Sequence, residues 1–260
     1  MNILSTGNKR LLTVLMMCLA FCTFSSSAFA AGFMPETLHY VISYKWGLIH
    51  KDAGEATLSL KNNGGVYDIR LTARTKPWAD KIFMVRDTLK AKVAASGLKP
   101  KSYEKISHEG GKYGKDVIKY SYSGSKVTGH CSRYRDKKGK VSFSEKTLTG
   151  SGDVFDMLSV FYYLRSLDYA HLSKGKTVHA TIFSGSKTET LTIRNLGVET
   201  VELRNKKKAS AYHIKFKFTS GGKKKSSDDM DTWISTSPAH IPLLLVGKLP
   251  IGQVKCYYIS

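Results

Sequence analysis

"ETLHYVISYKW", residues 36–46, alternates polar and apolar side chains along its whole length. Successive side chains of a β-strand point to opposite faces of a sheet. The period of two therefore predicts a half-buried strand with one apolar face. The residues of that face are Leu38, Tyr40, Ile42, Tyr44 and Trp46.

The same alternation recurs along most of the chain. "GEATLSL" and "VYDIRLTART" flank Asn62-Asn63-Gly64-Gly65 and predict a hairpin. Further alternating segments follow, separated by turns that contain glycine, which indicates an antiparallel meander of roughly a dozen strands. "PWADKIFM" predicts a short helical turn, because Pro77 suits the first position of a helix.

"DVFDMLSVFYYLRSLD", residues 153–168, departs from this pattern. Its apolar residues recur at helical spacing, which predicts an α-helix. Asp153 suits the N-cap, and Asp156 complements the positive end of the helix dipole in the first turn. The apolar side of the predicted helix consists of Val154, Met157, Leu158, Phe161 and Leu164.

A sheet of this length curls into a barrel or folds into two layers, and closure also removes exposed edges. No Pro/Ser-rich linker divides the two β regions, so residues 31–260 are expected to form one β-rich domain. We expect a mainly β fold, either a single large curved antiparallel sheet or a partly open β-barrel. One central α-helix would cover or plug it, over either a packed core or a ligand cavity.

Residues 1–30 have the features of a signal peptide. Lys9 and Arg10 precede an apolar run over residues 11–21, and Ala28-Phe29-Ala30 is a small-x-small cleavage motif. The run is too short to span a bilayer comfortably. Phe21 before Cys22 disfavours a lipoprotein. The sequence therefore predicts export to the periplasm, with no transmembrane span after cleavage.

The chain is strongly basic, with 41 Lys and Arg against 20 Asp and Glu, a formal net charge of +21. Removal of Lys9 and Arg10 with the signal peptide leaves +19. Such a field favours anionic partners, and no nucleic-acid-binding motif is present. Lipid, lipopolysaccharide or polysaccharide of the envelope are the partners expected, and the sequence leaves the oligomeric state open.

Lysine runs between the predicted strands provide candidates for a basic rim. They either gather on one rim and bind phosphates, or scatter and keep strand edges soluble. The residues of this predicted rim are Lys206, Lys207, Lys208, Lys223, Lys224 and Lys225.

The sequence contains no G-x-S-x-G, H-E-x-x-H, C-x-x-C or glycine-rich phosphate motif. Asp228, Asp229 and Asp231 do not match a complete calcium loop. We therefore expect a non-enzymatic protein without a metal or cofactor. Cys131 and Cys256 remain after cleavage, and they either pair as a disulfide or stay separate thiols.

Large and amphipathic side chains provide a candidate ligand site, with core packing as the alternative role. An apolar moiety would lie against the aromatic rings, and basic side chains would neutralise an anionic head group. The candidate residues are Tyr40, Tyr44, Trp46, Phe161, Tyr162, Arg165 and Trp233.

Three segments taken together resemble the exported bacterial envelope family called domain of unknown function 3108. They are "LHYVISYKWGLIHKDAGEATLSL", "DVFDMLSVFYYLRSLD" and "TWISTSPAHIPLLLVGKLPIGQVKCYYI". Thr236 and Ser237 stand where related sequences carry acids, which argues against a carboxylate site there. The resemblance implies an envelope location and a mainly β domain, with no established activity. A ligand-binding protein is the first expectation, a structural or assembly factor acting on polysaccharide or partner proteins the second, and an envelope enzyme the third.

Overall fold

The computed structural model describes residues 32–220, 224–225, 229–248 and 252–260, so the predicted signal peptide lies outside the described residues. Phe33–Ser260 form one compact unit. The helices are α1 (Pro77–Phe83) and α2 (Ser159–Ser166), with a 3-10 turn at Ser96–Leu98. The strands are β1 (Glu36–Trp46), β2 (Ile49–Asn63), β3 (Val66–Thr75), β4 (Val85–Ala94), β5 (Pro100–Glu109), β6 (Lys112–Ser123), β7 (Lys126–Lys137), β8 (Lys140–Ser151), β9 (Val154–Asp156), β10 (Thr177–Ser184), β11 (Lys187–Glu202), β12 (Lys208–Ser220), β13 (Lys224–Lys225), β14 (Met230–Ser235), β15 (Pro242–Lys248) and β16 (Gln253–Tyr258).

All strands belong to one sheet, in the order β8-β7-β6-β5-β4-β3-β2-β1-β16-β15-β14-β12-β11-β10-β9, with β13 paired to β12. Each neighbouring pair is antiparallel except β9 and β10, which are parallel. The first and last strands are hydrogen-bonded to each other, and the sheet curls into a nearly closed barrel. The predicted mainly β, barrel-like fold is confirmed, although the described residues contain sixteen strands rather than about twelve.

The predicted local elements also lie where the sequence indicates. Gly64 and Gly65, both with positive φ, form the turn between β2 and β3. Glycine suits this turn because a two-residue hairpin loop needs left-handed backbone. Pro77 is the first residue of α1.

One face of the sheet forms the core. Residues directly opposite each other in an antiparallel pair share a face, and Leu38, Leu58 and Leu71 are opposed in this way across β1, β2 and β3. Leu38 and Leu58 are buried, and Leu71 packs against the same cluster. The space that this inner face encloses is called the lumen below.

The two ends of the sheet pack against each other, and glycine makes the contact possible. A Cβ atom at Gly129 on β7 would lie 2.6 Å from the ring of Phe183 on β10. One at Gly150 on β8 would lie 3.0 Å from Val154 on β9. We call these four residues the sheet overlap. Val154 on β9 and Phe183 on β10 pack directly on these two glycines. The barrel therefore closes by side-chain packing, without a hydrogen-bonded ladder between β8 and β9.

The segment 153–168 is not helical throughout, which corrects the prediction of one long helix. Val154–Asp156 form a strand instead, because their backbone pairs with residues 181–183 of β10. The helix begins at Ser159, and Asp156 rather than Asp153 accepts hydrogen bonds from the backbone at its start.

Cys131 and Cys256 are both free thiols, so the structure does not have the disulfide that was one of the two alternatives. Cys131 lies on β7 and Cys256 on β16, and six strands separate β7 from β16 in the sheet. Within the described ranges, no helix has the length and apolar character needed to cross a membrane.

Candidate functional site

A cavity of about 760 Å³ opens in the lumen beneath the turn that leads into α2. Its wall combines apolar side chains, hydroxyl groups and charges from strands near the two ends of the sheet. The apolar contribution comes from Leu89, Tyr103 and Met157. The polar lining consists of Lys105, Asp116, Arg133, Ser184, Gly185, Ser186, Lys187, Glu189 and Ser220. This space is called the luminal cavity below.

Lys105 on β5 lies between two carboxylates on the inner face. Its Nζ is 3.1 Å from Asp87 and 3.0 Å from Glu109. Burial alone would lower the pKa of Lys105, but the two carboxylates outweigh it and raise that pKa. Burial raises the pKa of Asp87, an effect that Lys105 only partly opposes. Lys105 is therefore a charged group whose position is fixed in the cavity wall.

Asp116 on β6 accepts hydrogen bonds from two guanidinium groups of β7. Arg133 donates through Nε at 3.0 Å, and Arg135 donates at 2.8 Å. Arg133 also donates to Ser186 Oγ at 2.8 Å, in the turn between β10 and β11. The Arg133 side chain thus joins the two sides of the cavity and leaves one net positive charge around Asp116.

The opposite side of the cavity carries one buried acid and one exposed base. Glu189 is only 8% exposed and accepts a 2.9 Å hydrogen bond from Ser220. Lys187 has no ion-pair partner among the described residues. The cavity therefore offers the cations Arg133 and Lys187 to an anion, beside the apolar side chains Leu89, Tyr103 and Met157.

Three of the predicted ligand-binding residues, Tyr40, Tyr162 and Arg165, lie close together. Arg165 forms a two-pronged ion pair with Glu36, is only 2% exposed and donates to the carbonyl oxygens of Ala239 and His240 at 3.0 and 3.2 Å. The Tyr162 ring lies 5.1 Å from its guanidinium group. Every part of this guanidinium is used internally, so Arg165 anchors the helix rather than presenting charge to a ligand.

Burial raises the pKa of Tyr40, and the nearby charge of Arg165 partly opposes this effect. Tyr40 is buried on β1, and Tyr44 is half-buried on the same strand. Phe161 is half-buried and packs against the main core. The strand that carries Trp46 is described, but the Trp46 side chain lies outside the described residues.

Trp233 points away from the lumen. It stacks on His213 at 4.5 Å and donates to the Glu199 carboxylate. His213 Nε2 is 2.8 Å from Asp231 Oδ1, so an acid and a histidine do meet on the outer wall. Asp228 lies outside the described residues. No group of three or more His, Cys, Asp or Glu side chains is placed to hold a metal ion within the described ranges.

The lysines of the predicted basic rim lie at the two ends of β12, so of the two alternatives they scatter rather than gather on one rim. Lys206, Lys207 and Lys208 are exposed where β12 begins, and Lys206 pairs with Glu202 at 3.0 Å. Lys224 and Lys225 pair with Ser220 and Thr219, where β12 ends. Because the strand separates the two runs, they cannot act on one head group. The side chains of Lys224 and Lys225, and the whole of Lys223, lie outside the described residues.

Sequence analysis did not select the charged residues of the luminal cavity. Register places Lys105 opposite Asp116, and Asp116 opposite Arg133, although they are far apart in the chain. The alternation did contain a usable signal. Lys105 lies two residues from the buried Tyr103, Asp116 two from Ile118, and Arg133 two from Cys131, so each charged side chain is on the same face as a buried one. Charged residues at apolar positions of a strand are the pattern that would have found them.

The sequence model of the family described as "Protein of unknown function (DUF3108)" matches residues 39–258. The chain therefore belongs to this family, as its three segments predicted. A search of curated proteins found no match.

A solved structure described as a β-barrel-like protein of domain of unknown function DUF1849, from Brucella abortus, is similar in fold, with a TM-score of 0.58. The similarity covers 89% of this chain and 98% of that chain, at 12% sequence identity. At this identity the likeness establishes the barrel-like fold alone.

Proposed function

We propose that this protein is a non-enzymatic, periplasmic binding protein of the cell envelope, which holds an amphipathic anionic ligand such as a lipid or a lipopolysaccharide component in its luminal cavity. The observation that carries this proposal is the cavity of about 760 Å³, whose lining combines three apolar side chains with the cations Lys105, Arg133 and Lys187. Small-molecule sites in proteins typically enclose about 300–1,000 Å³ and combine apolar walls with a few polar groups.

The two parts of the cavity suit the two parts of an amphiphile. Leu89, Tyr103 and Met157 remove an acyl chain from water, and each buried methylene contributes about 0.8 kcal/mol. Arg133 and Lys187 face the head group.

Native mass spectrometry of protein purified from the periplasm tests the proposal directly. We expect a bound lipid to accompany the protein, to exchange for added long-chain fatty acid, and to be recovered chemically unchanged. An apo mass that takes up no fatty acid or phospholipid would overturn ligand binding. A ligand recovered as cleaved product would overturn the non-enzymatic part.

A pair of lysine variants locates the head group. Lys187→Gln removes a cavity charge that has no ion-pair partner among the described residues, whereas Lys217→Gln removes an exposed charge from β12 that does not line the cavity. We expect Lys187→Gln to weaken binding of an anionic fatty acid several-fold while leaving its uncharged methyl ester unaffected. Equal effects of the two variants would place the head group elsewhere.

The alternative, an assembly factor that binds polysaccharide or protein through its outer surface, is favoured by a second cavity of about 500 Å³ on the outer wall. Lys61, Arg70, Lys90 and Lys92 line it, although Asp68 and Glu104 partly neutralise them. Salt-sensitive retention on envelope polysaccharide without lipid uptake would favour this alternative. Cell fractionation tests export, which both proposed functions assume. We expect a periplasmic protein whose N-terminus is Ala31.

A further inference from the structure

Large apolar side chains are exposed to solvent on α1 and at the start of β8. On α1, Ile82 is 75% exposed and Phe83 is 52% exposed. On β8, Val141 is 59% exposed and Phe143 is 64% exposed. Single exposed apolar residues are ordinary on a protein surface, whereas several gathered in one place indicate an interaction site. Their meaning therefore depends on whether these four residues are neighbours.

Backbone contacts and strand order place α1 and the start of β8 at the same end of the barrel. The backbone N–H of Gly110, in the turn between β5 and β6, donates at 2.9 Å to the carbonyl of Met84, the residue after α1. The Phe83 ring also lies against Gly110, since a Cβ atom on this glycine would be 2.6 Å from it. β6 begins directly after this turn and is two strand spacings from β8, about 10 Å. The four apolar residues therefore border one patch.

Five lysines lie at the same end. Lys112, Lys137 and Lys140 are opposite one another across β6, β7 and β8, and Lys138 is in the turn between β7 and β8. Lys81 is in the last turn of α1. All five are exposed, and none has an ion-pair partner within the described part of the chain. We call these five lysines, together with Ile82, Phe83, Val141 and Phe143, the α1 rim.

The carboxylates near the α1 rim do not neutralise it. Asp80 pairs with Arg86 at 2.6 Å, and Glu109 accepts from the half-buried Lys105 at 3.0 Å. Asp136 accepts a 2.8 Å hydrogen bond from the backbone N–H of Gly139. Asp136 and Glu145 are the carboxylates of β7 and β8, and the five lysines outnumber them. The α1 rim is therefore cationic as well as apolar.

This combination fits the surface of an anionic lipid bilayer. Apolar side chains enter the boundary between head groups and acyl chains, and lysines beside them are attracted to the lipid phosphates. A second copy of the chain fits less well, because two such surfaces would bring unpaired lysines together. A polysaccharide would satisfy the lysines but would leave Ile82 and Phe143 in water.

We propose that the α1 rim docks the protein on an anionic phospholipid bilayer. The docking goes beyond the proposed function and does not depend on it, because none of the rim residues lines the luminal cavity. The two features are nevertheless close together. Asp116 and Arg133 of the cavity wall are each four residues from Lys112 and Lys137, about 13 Å along β6 and β7. A docked protein would therefore hold its cavity near the bilayer.

Flotation of the purified protein with lipid vesicles measures the docking. We expect binding to phosphatidylcholine vesicles that contain about one third phosphatidylglycerol, little binding to pure phosphatidylcholine, and weaker binding as salt is added. Lys137→Gln combined with Lys140→Gln should weaken binding on the order of tenfold or more, because each lysine at an anionic surface contributes a factor of about five.

Two lysines elsewhere provide the matched control. Lys126 begins β7, at the opposite end of the strand from Lys137, and Lys176 directly precedes β10. Both are exposed and have no ion-pair partner among the described residues. Lys126→Gln combined with Lys176→Gln lowers the net charge by the same amount and should have a much smaller effect.

A second pair of variants tests contact with the lipid itself. Ile82→Gln combined with Phe143→Gln should weaken vesicle binding several-fold, because both apolar side chains are expected to enter the bilayer surface. Binding to dextran sulfate, a soluble anionic polymer, should not change. Met34→Gln combined with Val198→Gln removes two other exposed apolar side chains and should leave vesicle binding unchanged.

The outcomes separate docking from its alternatives and from the proposed function. Equal binding by the two lysine pairs, or no preference for phosphatidylglycerol, overturns docking through the α1 rim. Full vesicle binding by the Ile82→Gln and Phe143→Gln variant overturns contact with lipid and assigns the rim to an anionic polymer. A dimer in sedimentation that this variant abolishes assigns it to a second copy of the chain. All rim variants should keep the wild-type affinity for fatty acid in solution, so a failure of docking is distinct from a failure of the cavity to bind lipid.

Discussion

Burial and hydrogen bonding act in opposite directions on the carboxyl group of Asp156. Burial raises its pKa to about 6 from the ordinary value of 3.8, although the hydrogen bonds from Ser159 and Leu158 partly oppose this. The folded protein therefore holds a proton on Asp156 at pH values where the unfolded chain has released it. Between those two pKa values, stability falls as pH rises, because the native state binds more protons than the unfolded state.

We expect this effect in a comparison of the wild-type protein with Asp156→Asn. Asparagine keeps an oxygen for the N–H groups of Leu158 and Ser159 but does not ionise. The free energy of unfolding of the wild type, relative to the variant, should fall by about 2 kcal/mol between about pH 4 and about pH 7. Urea titrations at each pH measure this difference, and other titrating groups largely cancel in it. A difference that is independent of pH would show that Asp156 ionises normally.

At the residue scale, the sequence identified important polar residues but not the contacts that they make. It selected Arg165 as a ligand contact, whereas Arg165 binds Glu36 and two backbone carbonyls. It placed Asp156 inside a helix, and the residue instead ends a short strand. The partners of the Arg165 side chain and the strand that pairs with Asp156 both come from segments distant in sequence, which a local pattern does not show.

At the scale of elements, the contact between the two sheet ends depends on the absence of a side chain at Gly129 of β7. Gly129→Ala would place a Cβ atom 2.6 Å from Phe183 and 3.1 Å from Ile118, two fully buried side chains. We expect a loss of about 1–3 kcal/mol in the free energy of unfolding, as overpacking of a rigid core typically costs. Urea unfolding monitored by circular dichroism measures it.

Gly247→Ala on β15 is the matched control. Its backbone needs no positive φ, and the nearest atom to the added Cβ is Met230 Cγ at 4.0 Å. We expect little change or a gain of up to about 1 kcal/mol, because alanine restricts the unfolded chain. If the two variants were equally stable, the sheet ends would not be tightly packed at Gly129.

The individual strands were predictable from sequence, but the closure of the sheet was not. Alternation over residues 36–46 identified β1, and Asn62-Asn63-Gly64-Gly65 identified the turn after β2. No local pattern shows that β1 pairs with β16, since that contact joins the two ends of the chain. A local pattern also does not show that Gly129 contacts Phe183, because neither residue departs from the pattern of its own strand. Register and closure depend on packing over the whole sheet.

At the scale of the whole molecule, exposure of the last strand, β16, shows whether the barrel unfolds as one cooperative unit. β16 is hydrogen-bonded to β1 on one edge and to β15 on the other, and it carries the free thiol of Cys256. Burial raises the pKa of this thiol to about 11, so the reactive thiolate is scarce in the folded protein. Because β1 and β16 join the chain ends, release of β16 would open the barrel.

We therefore expect Cys256, studied in a Cys131→Ala variant, to react with a thiol reagent only as fast as the whole protein unfolds. Along a urea titration, labelling should follow the loss of circular dichroism with the same midpoint, as in a single cooperative unit. The Cys256→Ala variant supplies the matching curve for Cys131 on β7. Rapid labelling of Cys256 in water, with the circular dichroism unchanged, would mean that β16 detaches locally and that the barrel opens at β1 without unfolding.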